Sequence, residues 1–219
     1  VLLGNIGATQ IQQQRIDLAE RAVEAIEANA LIIHLNPLQE LVQQGGDRNW
    51  KLVLEAIYLC ADKLSVPVIV KEVGAGISPN NAKKLEQAGI KWIEVAGRGG
   101  TNWASIEYAR NQSNFEQQVA SPFLNWGMDT AKLLPAISAN CPSLNLIGSG
   151  GVRDGLDIAR CIRLGACVTA LAQPFLAPAL ESTEAVINKI AILKEQLRWA
   201  MFLTGSKDLE TLKKAKLEE

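Results

Sequence analysis

The chain has 219 residues, 48% hydrophobic and 21% charged, an ordinary balance for a globular protein with one sizeable core. Its 22 Lys and Arg against 23 Asp and Glu leave no basic excess to neutralise phosphates, which argues against nucleic acid as a partner. No apolar run nears the roughly 20 residues of a membrane span. Nor does a charged leader mark a secretory signal. Four cysteines without C-x-x-C spacing read as reduced, mostly buried thiols of a cytoplasmic protein.

Short apolar strands alternate with longer amphipathic segments, the pattern of βα units around a parallel sheet. Strands are predicted near Val1–Asn5, Leu31–His34, Pro67–Lys71, Trp92–Ala96, Leu144–Gly148 and Cys167–Leu171. Helices are predicted at about Gln13–Ala28, Asn49–Leu64, Pro79–Ala88, Trp103–Arg110, Thr130–Asn140, Gly155–Leu164 and Thr183–Phe202. The last carries Val186, Ile190, Leu193, Leu197 and Met201 at helical spacing. Polar Asn111–Asn125 is expected to be a mobile loop. Nothing resembling a linker interrupts residues 1–219, so one domain is expected.

Each predicted strand ends in polar or glycine-rich sequence, whereas the segments before strands are plain. Asn5-Ile6-Gly7, His34-Leu35-Asn36, Lys71-Glu72-Val73-Gly74, Ala96 to Thr101, Ser149-Gly150-Gly151 and Ala172-Gln173 all show this. Chemistry gathered at one end of six consecutive strands points to a (β/α)8 TIM barrel with its site on the βα loops. An open doubly wound sheet places ligands mainly at its switch point. Six strands fall short of eight, so the first two βα units are expected to be missing from this sequence.

The candidate chemistry sits on these ends. Ser149-Gly150-Gly151-Val152-Arg153 lies between a buried strand and a helix start, where backbone N–H groups and the helix dipole favour an anion. Ala172-Gln173-Pro174 ends the next strand, and the two loops take the seventh and eighth barrel positions, where phosphate sites are common. Lys71 ends an apolar strand; it faces an electron-rich ligand such as a flavin edge, or it pairs with Glu72 or another carboxylate. Thr101, after Gly97 to Gly100, is a further phosphate contact or part of a plain glycine turn. His34, the only histidine, either does chemistry with Asn36, Gln39 and Glu40 or caps its strand. Glu40 beside amides suits a Mg²⁺ that keeps waters and borrows phosphate ligands. Trp103 and Trp126 are the tryptophans expected near a ligand.

The motifs His34-Leu35-Asn36-Pro37-Leu38-Gln39-Glu40, Val70-Lys71-Glu72-Val73-Gly74, Ala96-Gly97-x-Gly99-Gly100-Thr101-x-Trp103 and Ser149-Gly150-Gly151-Val152-Arg153 occur in this order. Over essentially its whole length the chain resembles the type 2 isopentenyl diphosphate isomerases, flavin-dependent (β/α)-barrel enzymes. The resemblance implies interconversion of isopentenyl and dimethylallyl diphosphate with reduced FMN, Mg²⁺ and NAD(P)H as reductant, in a cytoplasmic homo-oligomer. It implies that Asn5, Lys71, Thr101, Gly150, Gly151, Val152, Arg153, Ala172 and Gln173 line FMN. By the same resemblance Gln39 contacts substrate, Glu40 holds Mg²⁺, and His34 and Asn36 meet the diphosphate region. The family's N-terminal Arg-Lys pair, Thr-Gly-Gly loop and Ser-Gln-Arg segment have no counterpart here. Gln44-Gly45 replaces the usual Pro-Glu, and Asp129 the usual Pro. The competing expectations are another FMN-dependent barrel oxidoreductase and a non-catalytic truncated barrel.

Overall fold

Runs such as Leu31-Ile32-Ile33 and Val68-Ile69-Val70 are apolar on both strand faces, as a strand covered on both sides requires. A computed structural model describes residues 1–12 and 15–217. Its strands are β1 (Leu3–Gly7), β2 (Ala30–Leu35), β3 (Val68–Glu72), β4 (Trp92–Glu94), β5 (Asn145–Gly148) and β6 (Val168–Thr169). All neighbours pair in parallel, and the strands follow one another in chain order.

Between and after the strands run α1 (Ile16–Glu24), α2 (Pro37–Val42), α3 (Val53–Lys63), α4 (Pro79–Gln87), α5 (Trp103–Arg110) and α6 (Asn114–Ala120). They are followed by α7 (Thr130–Asn140), α8 (Gly155–Arg163), α9 (Gln173–Glu181), α10 (Thr183–Leu203) and the short α11 (Leu209–Leu212). The outer sheet face, with Leu31, Ile33, Val70, Ile93 and Leu146, packs under Ile57, Leu85, Leu133 and Ile137 of the helices. On the opposite face Ala30, Ile69 and Ile147 gather Ile32, Trp92 and Ala170 into an inner cluster. Two apolar layers, one on each side of a parallel arc, are how a barrel wall is stabilised.

All six predicted strands are present, with shifted ends. The fourth stops at Glu94 because Ala96 adopts a φ of 39° and the chain turns away. The sixth keeps two paired residues, since it lies at the sheet edge beside β5 alone. The first helix is described from Ile16; its predicted start at Gln13 lies outside the described residues. The helix predicted at Asn49–Leu64 is α3 and begins at Val53 because Leu52 before it is left-handed, with φ 59°.

The expected mobile loop Asn111–Asn125 is a correction: it contains α6 and a further helical turn, Ser121–Phe123. Ser113 caps α6 by accepting from the Glu116 N–H, Asn111 donates to the Glu116 carboxylate, and Gln117 donates to the Asn111 carbonyl. Local capping orders a segment whose composition is polar.

Near the candidate site, α10 fixes α8. Leu197 and Met201 pack on Ala159 and Ile162, and the Gln196 side chain accepts the Gly155 N–H. A Cβ on Gly155 would lie 2.6 Å from the Leu193 carbonyl oxygen, so the two helix backbones meet through a glycine.

Candidate active site

One register row crosses the arc at the C-terminal strand ends: Gly7, His34, Lys71, Glu94 and Ile147 are successive partners. Registered residues on parallel strands point to the same face, so His34, Lys71 and Glu94 stand side by side on the inner face. Above this row lies a cleft of about 530 Å³. Of the predicted cofactor residues, Lys71, Thr101, Gly150, Gly151, Val152, Arg153, Ala172 and Gln173 line it. Asn5 does not line it; its Oδ1 accepts instead from His34 Nδ1 at 2.8 Å.

The cleft wall is made by two glycine loops in mutual contact. A Cβ on Gly100 would lie 2.8 Å from the Gly151 nitrogen, and one on Gly99 the same distance from the Gly150 oxygen. Thr130 Oγ1 donates to the carbonyls of Ser149 and Gly150, and Ser149 Oγ accepts from the Ala96 N–H. Two nitrogens of the Arg153 guanidinium donate to the Gly151 and Gly99 carbonyls, each at 2.8 Å, so Arg153 ties one loop to the other.

The two helix starts at the cleft differ. At α8, Asp154 accepts from the Asp157 N–H, Asp157 from the Arg153 N–H, and Gln196 of α10 from Gly155, so side chains of α8, its cap and α10 occupy that end. By contrast α9 has no side-chain cap, and its start at Ala172, Gln173 and Pro174 lines the cleft. The N–H groups of Gly151, Val152 and Ala172 have no acceptor among the described residues. These donors and the α9 dipole are what an anion meets here.

Beside the cleft, Asn36 is buried and donates to Glu40 Oε1 at 2.8 Å, while Glu40 Oε2 accepts the Asp47 N–H at 2.7 Å. Glu40 therefore clasps α2 to the following loop and keeps lone pairs on both oxygens. A small adjoining hollow brings Gln39 together with Glu72, Gly74, Trp103 and Trp126, and Trp103 also lines the main cleft.

An amide oxygen only accepts, so the Asn5 bond assigns the proton of neutral His34 to Nδ1 and leaves Nε2 as an acceptor. Burial and the nearby Lys71 charge push the His34 pKa down, partly opposed by Glu40. Above about pH 6.5 the ring is neutral whether folded or unfolded, and below it the unfolded chain takes the proton first. Stability is therefore expected to fall as pH drops below about 6.5 and through the lower native pKa. Thermal melts of the protein and of His34→Gln check this; a slope of equal size in both refutes it.

Two further carboxylates lie at the two hollows, and one of them, Glu94, stands outside every motif. Lys71 donates to the Glu72 backbone carbonyl at 2.8 Å, not to its carboxylate. The Glu72 carboxylate turns back instead, and its Oε2 accepts the N–H groups of Val73, Gly74, Ala75 and Gly76. Burial raises the Glu72 pKa, and these four bonds work against that rise. Glu72→Ala strands several donors at once and is expected to cost about 3 kcal/mol or more. Glu72→Gln keeps an acceptor and should cost less; equal losses in urea unfolding would contradict this role. The second carboxylate, Glu94, lines the main cleft.

The sequence profile of the FMN-dependent dehydrogenases matches residues 15–219. The chain belongs to this family. It is 50% identical over 218 residues to an isopentenyl-diphosphate delta-isomerase of Stutzerimonas stutzeri, covering 99% of this chain and 63% of that protein. It is also 50% identical over 217 residues to the same-named protein of Cronobacter sakazakii, covering 99% of this chain and 62% of that one. The chain thus spans less than two thirds of these relatives' length. Among solved structures it is similar to a lactate oxidase of Pediococcus acidilactici, with TM-score 0.69, 20% identity and 95% and 59% of the two chains covered. A mandelate oxidase gives TM-score 0.64 at 19% identity, with 94% and 59% covered. The fold is that of the TIM-barrel oxidases, with six βα strands of the barrel in this chain. Among the described residues no helix is long and apolar enough to cross a membrane.

Proposed function

We propose that this chain forms the greater part of an enzyme that isomerises isopentenyl diphosphate to dimethylallyl diphosphate in the cytoplasm, using reduced FMN, Mg²⁺ and an NAD(P)H reductant. The observation that carries the reading is the cleft itself. Unpaired N–H groups and an uncapped helix start lie at one end, with Lys71 at the other and the Gln39–Glu40 segment alongside. The 50% identical relatives named as this isomerase support it.

FMN fits these residues: its phosphate suits the donors at Gly151, Val152 and Ala172, and Lys71 suits a ring edge rich in acceptors. Bound and reduced, FMN supplies the acid–base chemistry that relocates a double bond. Glu40 suits Mg²⁺ held by one carboxylate, with waters and diphosphate oxygens completing the shell. Gln39 orients the substrate from the small hollow, while neutral His34, held by Asn5, offers Nε2 and Asn36 fixes Glu40.

The second reading is oxidation of a 2-hydroxy acid, which the barrel likeness to lactate and mandelate oxidases favours. The sole histidine lies in the β2 motif, paired with Asn5, and not on the glycine loops. Isopentenyl diphosphate and lactate, each incubated with the FMN-loaded protein, separate the two. The isomerase reading expects anaerobic conversion that requires Mg²⁺ and reduced flavin. Lactate-dependent flavin reduction without isomerisation overturns it.

A further inference from the structure

Glu94 has no part in the sequence motifs or in the chemistry proposed above, yet its placement is specific. It closes β4 directly opposite Lys71 in the strand register, two residues after Trp92 of the inner cluster. Adjacent strands lie about 4.8 Å apart. Both side chains line the cleft. Glu94 is partly buried and has no hydrogen-bond or ion-pair partner among the described residues. Its neighbour Lys71 spends one ammonium hydrogen on the Glu72 carbonyl and keeps two.

Partial removal of a carboxylate from water without a partner is unfavourable, and a ligand N–H relieves it. A group that only accepts therefore stands beside one that only donates. The complementary ligand edge carries an N–H flanked by carbonyl acceptors, as a cyclic imide does. Charge gives the cleft a direction as well. Glu94 repels phosphate from the Lys71 end, and the free N–H groups of Gly151, Val152 and Ala172 attract it at the other. A long molecule with an anion at one end and an imide edge at the other has one favourable orientation.

We propose that Glu94 is a cofactor-contacting residue that accepts the imide N–H of the flavin ring, with Lys71 donating to the acceptor atoms beside it. This rests on the flavin reading of the cleft. The charged side chains facing the ring are Lys71, Glu94 and Arg153, with His34 next in the register row.

The test is a pH titration of the absorbance of bound, oxidised FMN, which reports loss of the imide proton. A negative Glu94 disfavours the imide anion, so Glu94→Gln should retain FMN and lower the imide pKa by about one unit, a tenfold change in the equilibrium. Lys71→Met should shift it upward, and Glu94→Asp, which keeps the charge, should restore the parent curve. A Glu94→Gln protein that holds FMN and titrates like the parent overturns the proposal while leaving the flavin reading intact. So does a Glu94→Asp shift as large as that of Glu94→Gln. A parent protein that takes up no FMN overturns both.

Discussion

Gly151→Ala is expected to abolish FMN retention and to destabilise the fold. Gly151 has a φ of 90°, a region that side-chain-bearing residues rarely adopt. An added Cβ would lie 2.9 Å from the Gly99 Cα and closer still to its carbonyl, and backbone does not yield cheaply. Backbone strain of about 1–3 kcal/mol and overpacking of similar size act together. To escape, the loop after β5 must move away from the loop after β4, carrying the Gly151 and Val152 donors with it. The glycine is required by the neighbouring loop, and the ligand feels this indirectly. Flavin absorbance after purification and the melting temperature should both fall. FMN retained at parental stoichiometry would show that the loops do not hold the phosphate.

Glu40→Gln is expected to lower the proposed isomerase activity by about 100-fold or more, the scale of losing metal or its alignment. Glu40 accepts from both Asn36 and the Asp47 N–H, and a glutamine has one acceptor oxygen for these two donors. The substitution therefore removes the charge proposed to hold Mg²⁺ and loosens α2 at the same time. A Mg²⁺ titration separates the effects: lost metal affinity raises the Mg²⁺ requirement, whereas a loosened helix lowers turnover at saturating Mg²⁺. FMN binding should survive, since Glu40 does not line the flavin cleft. Unchanged activity and an unchanged Mg²⁺ requirement would reduce the motif to a structural turn.

Strand order and the functional face were legible because apolar runs and polar strand ends are local features. The glycine loops were legible as residues, but not in their purpose. Gly150 and Gly151 read as close approach to an anion, whereas in the folded chain they also pack against Gly97 and Gly99. No helix was predicted between His34 and Asn49, yet Pro37 is the first residue of α2, where its fixed φ favours a helix start. In Ser113-Asn114-Phe115-Glu116 the spacing of a helix start was present, yet the polar composition around it masked α6. Glu94 could not be found from motifs, because its meaning depends on standing opposite Lys71, a register that only strand pairing creates. The inward turn of the Glu72 carboxylate is likewise set by the path of residues 73–76.

The proposed function requires that this cleft be a flavin mononucleotide site anchored through its phosphate. Fluorescence titration of the protein with FMN and with riboflavin, which shares the ring and lacks the phosphate, tests it most directly. One FMN per chain is expected, with riboflavin binding weaker by about 100-fold, two decades being about 2.7 kcal/mol of phosphate contact. Equal affinity for the two flavins, or binding of neither, would contradict it.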